Sequence, residues 1–145
     1  MAALTAPAPR KIEVKKSFQD MPMTAAKVYE GSALSDTSST APGVAGTNVV
    51  RSYTSPENFI GIALATVDNS TGTAGSQTIP VLTEGIVQLV VTGATAASVG
   101  ANVYATDGNT FTTTSVANTA IGIIVKIISG TTVLVKIQGC QYRSI

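Results

Sequence analysis

Few side chains in this sequence could carry out acid–base or nucleophilic chemistry. The chain has no His and a single Cys, Cys140. The absence of His removes the commonest general base, the Ser-His-Asp triad and the commonest metal ligand together. One Cys cannot form an internal disulfide or build a zinc site. We therefore expect Cys140 to be a small buried or half-buried hydrophobe near the end of the last strand, with a reactive thiol as the alternative.

The carboxylate side chains are equally poor candidates for catalysis or metal binding. The only charged side chains from residue 52 to residue 125 are Glu57, Asp68, Glu84 and Asp107. An enzyme built on them would need two carboxylates paired in a pocket, and the sequence places them mostly at strand ends and in loops. Asp68 and Asp107 also lack the regular ligand spacing of an EF-type calcium loop. The sequence thus predicts no catalytic activity, no metal and no cofactor.

Three further motifs are better explained by structure than by chemistry. Gly93 and Gly100 enclose small residues, but Ala101 follows where a phosphate-binding loop needs Lys. The glycosylation pattern at Asn69 has no meaning without secretion. The aromatic side chains could stack on sugars or bases, but at alternating strand positions they are more typical of core or cross-strand pairs.

The composition favours strands and a protein that works within an assembly. Hydrophobic residues make up 44% of the 145-residue chain and charged residues only 12%. The β-branched residues Val, Ile and Thr are frequent, and such side chains pack well in sheets. A surface rich in Thr and Ser and poor in Lys and Glu is unusual for a freely soluble monomer. It suits a protein that is packed against partners.

Charge and hydropathy exclude several classes of partner. The net charge is +1, so no overall basic field indicates nucleic-acid binding. No segment reaches the roughly 20 apolar residues of a membrane span. The start of the chain is apolar, but the positive charges follow it, the reverse of a signal peptide. We therefore expect folding in a cytosol, with neither nucleic acid nor membrane as a partner.

Turn signals recur every 8–12 residues or so, which is typical of a β-sandwich or a barrel. The sequence predicts one all-β domain, sandwich-like or barrel-like, over residues 26–145, with seven to nine strands. The expected core is Ile60, Ile62, Leu64, Val81, Ile86, Leu89, Val91, Val103, Ile121, Ile123, Val125, Val133, Val135 and Ile137.

Three hairpins are predicted within this domain. They pair residues 78–82 with 86–91, 103–106 with 109–114, and 120–128 with 131–137. The turn at Asp107-Gly108 has the composition of a type I′ turn, and Gly130 belongs to the turn of the last hairpin. A polar loop over 68–76 is expected to be exposed and mobile. Thr95 is placed as the N-cap of a short helical turn.

Residues 1–25 differ from the rest and are predicted to form an extended N-terminal arm. They hold four of the nine basic residues, Arg10, Lys11, Lys15 and Lys16. Apolar side chains lie between them, namely Ile12, Val14 and Phe18. Prolines in the stretch favour extended backbone, and the alternation of apolar and charged side chains fits a segment that adds as a strand to a sheet edge. A disordered tail is the alternative.

The body of the chain resembles the capsid cement, or head decoration, proteins of tailed bacteriophages. The resemblance rests on an ordered series of short segments rather than on one motif. These segments are residues 26–31, 59–63, 79–81, 84–89, 99–105, 107, 111–112, 121–123 and 131–137. The first two dozen residues match no pattern of that family, so the role of the arm is inferred from its composition alone.

The resemblance implies a structural virion protein, made in the bacterial cytoplasm, that sits on the outer capsid surface. Such a protein bridges major capsid protein subunits and strengthens the shell against internal DNA pressure. The family also implies a homo-oligomer, with a trimer favoured over a dimer. We expect the arm to supply the capsid contacts through Arg10, Lys11, Ile12, Val14, Lys15, Lys16 and Phe18.

Two other classes of function stay open at this point. One is another virion structural protein, such as a tail or baseplate adhesin, in which the loop at 68–76 would contact a receptor. The other is an enzyme with an unrecognised site built from Asp, Glu and Tyr side chains. The position of the gene, beside the major capsid gene or among tail genes, would discriminate the two virion functions.

Overall fold

The computed structural model of the protein describes residues 4–37, 49–54, 57–115 and 119–138. These ranges contain eleven strands and no helix, so nothing in them is a helix able to cross a membrane. The all-β prediction is confirmed. The strands are β1 Ile12–Pro22, β2 Lys27–Val28, β3 Ala33–Asp36, β4 Val50–Ser52, β5 Phe59–Ala63, β6 Val67–Asp68, β7 Thr78–Thr92, β8 Asn102–Ala105, β9 Phe111–Thr112, β10 Thr119–Ser129 and β11 Thr132–Gln138. Cys140 lies outside the described residues.

Five of these strands close into a barrel. Going round it, β7 pairs with β11, β11 with β10, β10 with β8, β8 with β9, and β9 again with β7. All these pairs are antiparallel except that of β7 with β9, which is parallel. Closure removes the open edges that a flat sheet of these strands would expose.

β7 extends beyond the barrel and links it to the remaining strands. Its first half pairs with β5, and the sheet continues from β5 through β3 to β4. β2 and β6 form a separate two-stranded ladder. Two apolar clusters result, one inside the barrel and one beside it. The second cluster is formed by Met23, Val28, Leu34, Val50, Ile60, Ala63, Ile79 and Val81.

The predicted hairpin across residues 83–85 is wrong, because β7 runs through this point without turning. The neighbouring strand β1 explains the composition there. A Cβ atom on Gly85 would collide with the Val14 carbonyl oxygen, so glycine is needed for close approach of the two backbones. The Thr83 hydroxyl donates to the Ser17 carbonyl oxygen at 3.1 Å. The turn-like residues therefore serve strand pairing.

The predicted core is correct for most strands but partly wrong in β10. Ile121 and Ile124 are buried, whereas Ile123 and Val125 are exposed. The register between β10 and β8 shifts between Ala120 and Gly122, which marks a β-bulge at Ile121. A bulge adds one residue to a strand and so reverses which positions face the core. Outside β10, Leu64 and Ile86 are half-buried rather than buried.

The hairpins in the last third of the chain are confirmed, but one turn type is wrong. β8 and β9 pair around the loop of Asp107, yet Gly108 has no positive φ, which a type I′ turn requires. The Asp107 carboxylate instead accepts the Asn109 N–H at 2.8 Å. Gly130, at the turn between β10 and β11, has φ 58°, a left-handed value that suits glycine. Thr95 begins a hydrogen-bonded turn and not a helix.

Candidate interaction surface

β1 is a long and largely exposed strand along one side of β7. The two strands pair antiparallel from Ile12 opposite Val87 to Pro22 opposite Thr78. Within the described ranges, no other strand pairs with β1. An edge strand with solvent-facing apolar side chains can serve as a template for pairing with another chain. The outer edge of β1 is therefore a candidate interaction surface.

The segment before β1 is also fixed to the body. The Ala8 N–H donates to the Glu30 carbonyl oxygen at 2.9 Å. The Lys11 carbonyl oxygen accepts the N–H of Gln88 in β7 at 2.8 Å. Residues 12–22 of the predicted arm are therefore a strand of the chain's own sheet. Removal of residues 1–23 would therefore take a whole strand away from the sheet.

Arg10 is the side chain that fastens this segment most firmly. Its Nε donates to the Gly31 carbonyl oxygen and its Nη2 to the Asn109 side-chain oxygen, both at 2.9 Å. The guanidinium also lies over the Phe111 ring, 5.5 Å from the centroid. Burial lowers the pKa of the Arg10 guanidinium below its ordinary value. Arg10 thus binds its own chain and is poorly placed to reach a partner.

The other arm residues separate into two groups. Ile12 packs against the barrel core, and the Lys16 ammonium lies 3.4 Å from the Glu84 carboxylate. Lys16 is nevertheless exposed, and so are the remaining four side chains, namely Lys11, Val14, Lys15 and Phe18. Val14 is 46% exposed and Phe18 is 59% exposed, and the Lys15 Nζ lies 5.5 Å from the centre of the Phe18 ring. Contact of these four with a capsid stays a prediction.

A second exposed apolar surface lies on the outside of the barrel. Val90 of β7 and Ile123, Val125 and Ile128 of β10 are 36–61% exposed. Lys126 is also exposed on β10. Sequence reasoning missed this surface because it assigned Ile123 and Val125 to the core. The available signal was the excess of apolar residues in β10, which is more than one face of a strand can bury.

The four carboxylates of the body do not form a common site. Glu57 is buried, where it accepts the Ser35 hydroxyl at 2.7 Å and pairs with Arg51. Asp68 is exposed, and hydrogen bonds from the hydroxyl and N–H of Ser70 lower its pKa. In the described part of the chain, no three His, Cys, Asp or Glu side chains gather where a metal ion could bind.

The loop after β6 has a fixed base that the sequence did not indicate. Residues 70–76 are exposed, as expected, but Asn69 is completely buried. Its side-chain nitrogen donates to the carbonyl oxygens of Thr24 at 3.1 Å and Thr73 at 3.0 Å. Its side-chain oxygen accepts the Ser76 hydroxyl at 2.9 Å. Asn69 therefore joins the loop to the segment that follows β1.

Comparison with known proteins adds no assignment to this geometry. No protein-family model matches the chain, and no curated protein matches it either. The two exposed apolar surfaces, on β1 and on the outside of the barrel, are therefore the structural features from which a function can be argued.

Proposed function

We propose that this protein is a capsid cement protein that binds the outer surface of a phage head. It bridges major capsid protein subunits, stabilises the shell and carries out no catalysis. The observation that carries the proposal is the exposed face of β1 on a charge-poor β-body, where Val14 and Phe18 are exposed and Lys15 lies over the Phe18 ring, with Lys11 exposed just before the strand. The resemblance of the body to phage cement proteins supports the same function.

The physical character of this face suits attachment to another protein. Exposed ion pairs contribute only about 0–1 kcal/mol each, so Lys11 and Lys15 would orient the partner but add little to the binding free energy. Fully burying an apolar side chain the size of Val or Phe contributes about 1.5–3 kcal/mol. Val14 and Phe18 would therefore supply most of the binding free energy. The partner that fits is a protein surface with apolar grooves and nearby carboxylates.

The proposed partners are the major capsid protein and further copies of the same chain. The resemblance favours a trimer over a dimer, and light scattering on the purified chain measures the copy number. Neither nucleic acid nor membrane is part of the proposal, and its site of action is the outside of the virion. Among the residues that the structure describes, no feature specifically favours the alternative of a tail or baseplate adhesin.

The proposal is tested with phage heads that lack this protein. Purified protein is mixed with such heads and the bound fraction is measured by co-sedimentation. We expect Val14→Asp and Lys15→Glu to weaken binding, by roughly tenfold for each 1.4 kcal/mol lost. The matched controls are Val99→Asp, at an exposed loop position, and Lys126→Glu, on the outside of the barrel.

Two outcomes would contradict the proposal. Binding of the full chain to tails, with heads left bare in electron micrographs, would favour the adhesin. Loss of head binding in Lys126→Glu as large as that in the β1 variants would assign the contact to the outside of the barrel instead of β1.

A further inference from the structure

β1 consists of two halves that are held to β7 in different ways. From Phe18 to Pro22 the two strands pair without a register shift, and Met21 packs against the second apolar cluster. From Ile12 to Phe18 the pairing shifts three times, so the ladder of main-chain hydrogen bonds is interrupted. The side chains of residues 13–16 in this first half are all exposed. The first half of β1 is therefore held less firmly along its length than the second half.

Ser17 marks the boundary between the two halves. The Thr83 hydroxyl lies 3.1 Å from the Ser17 carbonyl oxygen and 3.2 Å from the Ser17 hydroxyl oxygen. Thr83 is buried in β7, so it gives Ser17 a fixed attachment. Just before this point the Lys16 side chain pairs with Glu84 but is 64% exposed, and exposed ion pairs contribute little to stability.

The first half of β1 is fastened mainly at its start, by Arg10. Two guanidinium nitrogens donate to the Gly31 carbonyl oxygen and the Asn109 side-chain oxygen, and the same group lies over the Phe111 ring. Ile12, two residues further on, is half-buried against the barrel core. Because all these contacts are with distant parts of the chain, Arg10 ties the start of β1 to the body.

We propose that residues 10–16 form a strap that opens and closes on β7, with Arg10 as its latch and Ser17 as its fixed end. In the closed state the strap is the first half of β1. In the open state its four basic side chains belong to a free arm, and the edge of β7 beside Gly85 is bare. Weakly held segments of folded proteins open locally in this way. The strap does not depend on the capsid function.

Limited proteolysis of the intact chain with trypsin tests the strap. Trypsin cleaves after Lys and Arg, and cleavage within a strand follows the population in which that strand has opened. Lys15 and Lys16 lie in the strap, whereas Lys126 and Lys136 are exposed side chains of the barrel strands β10 and β11. We expect cleavage after Lys15 and Lys16 while both barrel sites remain intact.

Loss of the latch should raise the cleavage rate at Lys15. Arg10→Ala removes two hydrogen bonds from a charged donor and a cation–π contact, so we expect cleavage there to be roughly tenfold faster or more. Arg10→Lys should be almost as fast, because one ammonium group cannot reproduce the guanidinium fork. Asn109→Ala removes one of the two hydrogen bonds and should give a smaller increase. Lys11→Ala, next to the latch, is the control and should leave the rate at Lys15 nearly unchanged.

A disulfide between β1 and β7 provides the reverse test. Val14 and Ile86 lie opposite each other, and opposite residues of an antiparallel pair are about 4.5–5.5 Å apart at Cα, within disulfide range. In a Cys140→Ser background, the double variant Val14→Cys, Ile86→Cys should lose cleavage at Lys15 on oxidation and regain it on reduction.

Three results would overturn the proposal. Equal cleavage rates at Lys15 and at the barrel sites of the unmodified chain would show that the strap does not open separately. An unchanged rate at Lys15 in Arg10→Ala would show that Arg10 is not the latch. A rise at Lys15 that is matched at Lys126 and Lys136 would show that Arg10 stabilises the whole fold instead.

Discussion

Among single residues, Asn69 is the buried side chain that holds the base of the exposed loop after β6 through its hydrogen bonds. We expect Asn69→Ala to lower the free energy of unfolding by about 1–3 kcal/mol, because the carbonyl oxygens of Thr24 and Thr73 lose part-buried hydrogen bonds from the Asn69 side chain. Chemical denaturation followed by circular dichroism measures this change. Thr71→Ala, at an exposed position of the same loop, should change stability by less than about 0.5 kcal/mol. Equal effects of the two substitutions would show that the loop base is not fixed by Asn69.

At the level of elements, the bulge in β10 decides which isoleucines are in the core. Ile121 is 1% exposed and Ile123 is 39% exposed, although both lie on one face in a regular strand. We expect Ile121→Ala to cost about 2–5 kcal/mol of unfolding free energy, and Ile123→Ala to cost about 0.5 kcal/mol. Thermal or urea unfolding of the two variants measures the difference. If Ile123→Ala is the more destabilising, the register shift is wrong.

At the level of the whole molecule, β7 joins the two apolar clusters into one structure. Leu89 of β7 packs in the barrel core, and Val81 of the same strand packs in the second cluster beside Leu34. Since no boundary separates the clusters along β7, we expect them to unfold together. Leu34→Ala and Leu89→Ala should each cost about 2–5 kcal/mol and leave a single transition. Far-UV dichroism and tyrosine fluorescence should give the same midpoint, and separate midpoints would indicate two cooperative units.

Part of this architecture could be predicted from the sequence, because residue composition and turn spacing are local patterns that indicate strands and hairpins. The frequent β-branched residues and regular turn signals predicted an all-β barrel-like or sandwich-like body. The last hairpin was predicted from its strand pattern and from Gly130, whose left-handed backbone suits glycine. The exposed side chains of the candidate surface, such as Val14 and Phe18, were also singled out as an unusual density of apolar residues in a basic segment.

What only the tertiary structure decided was which strands pair and in what register. The pairing of β1 with β7 makes the predicted extended arm an edge strand, and contacts with Gly31, Asn109 and Phe111 hold Arg10 against its own chain. The same pairing explains why a turn-like segment around Gly85 continues straight. The bulge in β10 exchanged Ile123 for Ile124 in the core. Each of these depends on contacts between distant parts of the chain, and local periodicity contains no information about which distant strand will be the neighbour.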